Sequence, residues 1–204
     1  MYGRSLRFLF STGFSSTVNG SKKLKISEAI RVDQAGERAA VRICTYQLFW
    51  ISPLDPSVQI VKEILSDEIV HERVMDKLAE KHYVKTTALD PLFHLGAFAM
   101  ASLTSFAGKE AIMCCHAAVE ETIARHYNDQ LRELETVENA EGLSKNEALE
   151  WDEVKHYIKT FRDEELHHQE LGERNGASDA PAYPILYNGI KLMCSIGIAL
   201  AKIM

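Results

Sequence analysis

Apolar residues recur at three- and four-residue intervals along most of this chain, the spacing that lines one face of an α-helix. From about Glu28 to Trp50 the stripe reads Ile30, Gln34, Glu37, Val41, Cys44, Leu48. Ser52-Pro53-Leu54-Asp55-Pro56 breaks it, and Asp55 or Ser57 is placed to cap a second helix running to about His82. That helix carries Val61, Leu65, Glu68, His71, Met75 and Leu78 on one face. A third such stretch, from about Glu110 to Leu134, aligns Met113, His116, Glu120, Ile123, Tyr127 and Leu134. A fourth, from Trp151 to Leu171, aligns Trp151, Val154, Ile158, Phe161, Glu165 and His168. Each of the four apolar faces is therefore interrupted by ionisable side chains. Burying an ionised carboxylate costs several kcal/mol unless it is paired or bound to a cation. These stripes place no Lys or Arg beside the acids, so each face needs another partner.

Two further segments are apolar without such interruptions. Pro91 to Gly108 holds no formally charged residue, and Ile185 to Met204 holds only Lys191 and Lys202. The first is short for a membrane span and contains Gly96, His94, Ser102, Thr104 and Ser105, so it is expected as a core or interfacial helix. The second reads as an apolar helix whose sparse cations reach a bilayer surface. Thr136 to Glu150 is polar and acidic and is expected to be mostly connection, with Ser144 to Glu147 forming a capping box for the helix after it.

The chain of 204 residues suits one all-α domain, and its 11 Gly and 5 Pro leave little room for a many-turned β fold. Cys44, Cys114, Cys115 and Cys194 show no Cys-x-x-Cys spacing, which favours neither a disulfide framework nor a thiolate metal site. The net charge of -6 is uneven. Residues 1–25 hold Arg4, Arg7, Lys22, Lys23 and Lys25 and no acid; taking these five from the 23 basic residues leaves 18 against 29 acidic ones. Residues 1–26 thus read as a mitochondrial transit peptide or a disordered basic segment, with the domain proper at 27–204. The acidic remainder excludes nucleic acid as the main partner, because phosphate binding wants a basic face.

Glu-x-x-His occurs four times, as Glu68/His71, Glu153/His156, Glu164/His167 and Glu165/His168, so the spacing alone selects nothing. Register does. Glu153/His156 lies off the apolar stripe and Glu164/His167 is rotated from it by about 100°. Only Glu68/His71 and Glu165/His168 lie on it. The order along the chain is then Glu37, Glu68/His71, Glu120, Glu165/His168 on four helices. Two helices giving one Glu each and two giving Glu-x-x-His is the donor set of the carboxylate-bridged di-iron or di-manganese centres of ferritin-like four-helix bundles. Carboxylates balance two divalent cations and each imidazole takes a terminal position. The separations, Glu37 to Glu68 and Glu120 to Glu165, also suggest an internal duplication with extra residues in the second half.

At these residues the sequence resembles the mitochondrial demethoxyubiquinone hydroxylases, the ferritin-like di-iron enzymes of ubiquinone synthesis. The matching stretches are IRVDQAGE (Ile30 to Glu37), GKEAIMCCHAAVEETIARHYNDQ (Gly108 to Gln130), FRDEELHH (Phe161 to His168) and APAYPIL (Ala180 to Leu186). The resemblance implies that Glu37, Glu68, His71, Glu120, Glu165 and His168 are the iron ligands, with Glu68 and Glu165 bridging, and that His126 and Tyr127 stand just outside them. The chain departs from the family at Cys44, where Tyr is usual, at Gln34, where His is usual, and at His167, where Glu is usual.

The implied activity is an O₂-dependent monooxygenase reaction on the ring of demethoxyubiquinone, with two Fe ions and with NADH as a reductant. No G-x-G-x-x-G fingerprint accompanies a nicotinamide site. The resemblance also implies a peripheral position on the matrix side of the mitochondrial inner membrane, beside a lipid-binding partner of the ubiquinone-synthesis complex. The two apolar segments would then let a polyprenyl substrate enter from the bilayer. The main alternative is a ferritin-like ferroxidase or iron-binding protein, which uses the same ligands without an apolar surface. The ligands alone also admit a di-manganese catalase, and a metal-free membrane-surface adaptor is the remaining reading.

Overall fold

The computed structural model describes residues 9–203, with side chains from Lys22 onward except Glu141. Among the described residues are six α-helices: α1 (Leu9–Trp50), α2 (Val58–Lys81), α3 (Asp90–Ala107), α4 (Lys109–Glu141), α5 (Lys145–Arg174) and α6 (Tyr183–Ile203). A single 3₁₀ turn, Ala177–Asp179, precedes α6. The all-α class agrees with the periodicity.

Local chemistry accounts for the helix ends. Asp55 Oδ1 accepts hydrogen bonds from the Ser57 amide at 2.8 Å and from its hydroxyl at 2.5 Å, fixing the turn into α2. At α5 the expected capping box forms: Ser144 N–H donates to Glu147 Oε2 at 2.8 Å and Glu147 N–H donates to Ser144 Oγ at 3.4 Å. Gly108, at φ 101°, makes the sharp joint between α3 and α4.

Two boundaries differ from expectation. α1 starts at Leu9 instead of near Glu28, and the packed body starts before residue 27, because Lys22 and Ile26 are already buried. Ile26 joins the core of Ile30, Leu134 and Trp151, and Lys22 reaches Glu147 at 3.6 Å. Residues 1–8 of the anticipated leader lie outside the described residues. The acidic stretch after Leu134 is also mostly helix: α4 runs on to Glu141 and α5 starts at Lys145. Lys155 bonds Glu138 across the two helices at 2.6 Å, and Val137 and Leu143 pack on the same core as Trp151. The extra residues of the second half are therefore longer helices, not a longer loop.

The chain folds as two similar halves. α1 packs on α2 and α3, and α4 packs on α5 and α6. α1, α2, α4 and α5 form a four-helix bundle that buries one apolar cluster toward each end. Ile30, Met75, Tyr127 and Ile158 belong to one; Cys44, Ile64, Met113 and Ala117 belong to the other. The sequence positions between the two clusters on each helix are Glu37, Glu68/His71, Glu120 and Glu165/His168. α3 and α6 lie outside the bundle. Arg42 ties the start of α3 to α1 through two 2.9 Å bonds to Asp90, and Arg31 holds the end of α6 through the carbonyls of Ala201 and Lys202 at 3.1 and 3.0 Å.

α4 and α5 approach closely at Gly172, where an added Cβ would sit 2.7 Å from the Met113 carbonyl oxygen and 3.0 Å from the Ala117 nitrogen. Both are main-chain atoms and cannot swing away. Gly172→Ala should therefore push the two helices apart and cost about 1–3 kcal/mol, as overpacking in a tight core does. Thermal unfolding of the variant checks this; an unchanged midpoint would show that the contact yields freely.

Candidate metal centre

All six residues singled out on the stripes are buried and meet between the two apolar clusters: Glu37, Glu68, His71, Glu120, Glu165 and His168 are each at most 2 % exposed. They fall into two overlapping sets. Glu37, Glu68, His71 and Glu165 bring one ligand atom each within 4.8 Å of one another, and so do Glu68, Glu120, Glu165 and His168. Glu68 and Glu165 belong to both sets, so these two carboxylates stand between the pair while each set keeps its own imidazole and its own outer carboxylate.

The distances describe how the imidazoles face inward. His71 Nδ1 lies 3.2 Å from Glu165 Oε1, 3.4 Å from Glu37 Oε2 and 3.7 Å from Glu68 Oε2. His168 Nδ1 lies 3.3 Å from both Glu68 Oε1 and Glu165 Oε2. The opposite ring nitrogens point outward to carboxylates: His71 Nε2 to Glu164 Oε2 at 2.7 Å, and His168 Nε2 to Asp67 Oδ2 at 3.2 Å. A carboxylate behind each imidazole fixes its tautomer and raises its basicity as a ligand. The arrangement is reciprocal, since α2 supplies the partner for the α5 histidine and α5 supplies the partner for the α2 histidine.

The electrostatics match a site built for cations. Burial, opposed by His71 and aided by the Glu68 charge, holds the Glu37 carboxyl well above the ordinary carboxylate range. Burial and the charges of Glu165 and Glu68 do the same to Glu120. Glu165 differs: against its burial, the adjacent His168 and His71 rings draw it down to about 2. His168, despite burial, is raised to about 10 by Glu165 and Glu68, and His71 is raised by Glu165, Glu37 and Glu68. The polypeptide alone thus favours protons on His71, His168, Glu37 and Glu120, and bound divalent cations would compete with them. Both Glu68 oxygens and His71 Nδ1 are buried without a protein hydrogen-bond partner. Those orphaned atoms and the hard oxygen–imidazole donor set fit a pair of divalent first-row metal ions.

The other expectations sort cleanly. Tyr127 is buried and its hydroxyl donates to Glu37 Oε1, touching the cluster directly, and burial with the Glu37 charge raises its pKa well above the usual phenol value. His126 stands farther back, with Nε2 3.6 Å from Asp33 Oδ1. His167 is exposed, and its partner in spacing, Glu164, contributes by holding His71. The Glu153/His156 pair faces outward, with Glu153 bonded to Lys81.

Sequence reasoning missed Asp67 and Glu164. Each directly precedes the Glu of an on-stripe Glu-x-x-His, and that repetition was the available signal. It also missed a buried chain behind Glu120: His116 Nδ1 is 3.6 Å from Glu120 Oε1, His116 Nε2 bonds Gln47 Oε1 at 2.8 Å, and Gln47 donates to Thr104 Oγ1 at 3.2 Å. Burial lowers His116 to about 3, so it stays neutral.

A cavity of about 400 Å³ opens from this centre toward α3 and α6. Its walls include Val32, Ile43, Phe93, Met100, Met193 and Ile198, and its floor is Glu37, Glu68, Glu120 and Glu165. Cys194 supplies the one other polar side chain among its lining residues.

If Asp67 holds His168 as a ligand, Asp67→Ala should weaken divalent-metal binding about 10–100-fold, the usual effect of losing such an outer partner. His167→Ala should leave it unchanged. Calorimetric titration of the metal-free variants with Mn²⁺ reads both; a loss at His167 with none at Asp67 would transfer the ligand role to the exposed imidazole.

Comparison with known proteins places this architecture. The family described as "Ubiquinone biosynthesis protein COQ7" matches residues 24–201. The chain is 38% identical over 173 residues to the 3-demethoxyubiquinol 3-hydroxylase of Rhodospirillum rubrum, covering 85% of this chain and 76% of that one. It is 35% identical over 202 residues to the mitochondrial NADPH-dependent 3-demethoxyubiquinone 3-hydroxylase of Rattus norvegicus, covering 98% and 88%. With the mitochondrial 5-demethoxyubiquinone hydroxylase of Saccharomyces cerevisiae it shares 36% over 176 residues, covering 85% and 76%. A six-helix chain with this order of buried Glu and Glu-x-x-His, matched over residues 24–201, belongs to the COQ7 family of ubiquinone biosynthesis proteins.

Proposed function

We propose that this protein hydroxylates the ring of demethoxyubiquinone, in its quinone or quinol form, at a di-iron centre held by Glu37, Glu68, His71, Glu120, Glu165 and His168. The observation that carries the proposal is the apolar cavity whose floor is the four carboxylates. A ferroxidase needs a path for hydrated ions, whereas this path is walled by hydrocarbon and suits a lipid ring. The relatives' names, all demethoxyubiquinone or demethoxyubiquinol hydroxylases, favour the same choice over the ferritin-like alternative.

Bound iron supplies the activation of O₂ and insertion of one oxygen atom into a ring C–H bond. The residues supply the rest. Glu68 and Glu165, common to both sets, would hold the iron together with Glu37, Glu120, His71 and His168. Glu164 and Asp67 keep the imidazoles turned inward. Tyr127 fixes one oxygen of Glu37, and the neutral His116 stands behind Glu120. The Phe93, Met100 and Met193 walls keep bulk water from the ring while it reacts. The reductant is a reduced nicotinamide; NADPH stands in the rat relative's name, where the resemblance suggested NADH.

The apolar segments support entry from a membrane. Leu95, Leu103 and Phe106 of α3 and Ile185, Leu192 and Ile203 of α6 are each more than 60 % exposed. α6 is also long and apolar enough to cross a bilayer, with mean hydropathy 1.4. We read both helices as lying in the surface of the mitochondrial inner membrane, on the matrix side, because the cavity opens between them. The same outward faces suit a lipid-binding partner protein that hands over the substrate. Residues preceding Lys22 would serve as the leader, since burial of Lys22 and Ile26 ties the chain from that point into the bundle.

Purified in mild detergent, the protein should contain about two irons per chain, a count set by the two ligand sets, and turn a demethoxyquinone analogue into hydroxylated product. Glu165→Ala removes a carboxylate common to both sets and should abolish iron binding and product together. Retained hydroxylation in this variant would refute the ligand assignment, and iron oxidation without product in the unsubstituted protein would favour the ferroxidase.

A further inference from the structure

Beside the carboxylate centre a second polar group is buried in the bundle. Asp33, Gln130 and His126 are 3 %, 6 % and 9 % exposed. Gln130 Nε2 donates to Asp33 Oδ1 at 2.8 Å and to the Ala29 carbonyl at 3.4 Å. Three of the group's polar atoms have no protein partner: Asp33 Oδ2, Gln130 Oε1 and His126 Nε2. His126 Nε2 stops 3.6 Å from Asp33 Oδ1, beyond hydrogen-bond length. Buried polar atoms left open together are the setting in which internal water is held, because one water satisfies two to four of them.

Gln130 also forms part of the wall of a small surface cleft of about 10 Å³, roughly one water in size. Lys25, Glu28, Glu133 and Lys202 surround that cleft, with Lys25 and Glu133 bonded at 2.6 Å. On the inner side, Asp33 precedes Glu37 by one helical turn on α1, the separation at which side chains share a face. Tyr127, next to His126, donates to Glu37. Polar groups therefore reach from the surface cleft to within one helical turn of Glu37, next to the apolar cavity, with which the cleft shares Val32.

We infer that Asp33, with Gln130 and His126, holds water that carries protons from the surface cleft to the metal centre. The inference rests on the hydroxylase reading for its need. Converting a ring C–H to C–OH with O₂ consumes two electrons and two protons and releases the second oxygen atom as water. The reduced nicotinamide supplies both electrons and, as hydride, one of the protons; the second proton must come from solvent. The cavity that would take the ring is walled by hydrocarbon and offers that proton no polar path of its own. Asp33 faces His126 and Gln130 from α4, Lys202 from α6 and Glu37 along α1; burial raises its carboxyl while His126, Gln130 and Lys202 oppose that. It is a relay and positioning residue, not a group that touches substrate.

Three measurements decide it. A high-resolution crystal structure of the metal-loaded protein should show ordered water on Asp33 Oδ2, and NMR of the zinc-loaded protein should show His126 N–H exchanging with solvent faster than it does in Gln130→Leu. In turnover, Asp33→Asn should lower kcat about a hundredfold, the scale of a lost proton-transfer group. The solvent deuterium isotope effect should rise, while KM for the quinone and iron content stay put. A dry cluster, or Asp33→Asn with unaltered kcat and isotope effect, overturns the relay even if product forms. A hydrated, rapidly exchanging cluster in a protein that makes no product keeps the water path and removes the hydroxylase reading.

Discussion

Four carboxylates and two imidazoles share the middle of an apolar bundle, and the fold depends on what neutralises them. In water each carboxylate is solvated; between the Ile30 cluster and the Ile64 cluster none of that solvation is available. The chain's cations lie elsewhere: Arg38 is bonded to Asp76, Arg42 to Asp90 and Arg162 to Asp163 and Asn128. No Lys or Arg among the described residues forms an ion pair with any of the four central acids. The charge must come from protons or from bound cations, and the donor set fits divalent cations where a hydrophobic core would not.

That requirement explains the symmetry. A pair of ions needs two carboxylates placed between them and one imidazole beyond each, and two copies of a helix trio meet it by repetition. α2 and α5 then carry not only Glu-x-x-His but the same acid immediately before it, Asp67 and Glu164, so each half orients the other half's histidine. Neither half completes the site alone. The third helix of each trio, α3 or α6, is left outside the bundle, and the cavity opens between these two with their apolar side chains turned to the outside. The apolar surface thus follows from the same repeat that builds the metal site.

Much of this was legible in the residues, for a definite reason. A carboxylate on an apolar stripe is costly enough to be informative, and the register of Glu68/His71 and Glu165/His168 separated them from Glu153/His156 and Glu164/His167. The start of α1 was not legible, because Gly, Ser and Lys-rich sequence before Glu28 shows little apolar periodicity, and Ile26 and Lys22 are buried by contacts distant in sequence. The acidic stretch after Leu134 was read as connection because its composition is polar. Its helix is stabilised by Lys155 reaching Glu138 and by packing of Val137, neither of which local sequence displays. Asp67, Glu164, Gln47 and Asp33 share one property: each acts on a residue from another helix, or on one much farther along the chain, so pairing could be seen only after folding.

The apolar and the polar side of the centre follow from the direction in which α1 presents its residues. Gly36, Ala39, Ala40 and Ile43 line the lipid cavity. Asp33 turns toward Gln130 and His126 of α4, and Glu37 lies between the two environments, on the cavity floor and bonded by Tyr127 from behind. One helix therefore divides a hydrocarbon compartment from a polar one within two turns. A polar side chain on the first side would be desolvated by the incoming lipid, and an apolar one on the second would interrupt the water path. On the proposed hydroxylase reading a lipid ring and a proton would both have to reach the same carboxylates, and the alternation of small apolar and buried polar residues between Asp33 and Ile43 sets an apolar face and a polar face on either side of Glu37.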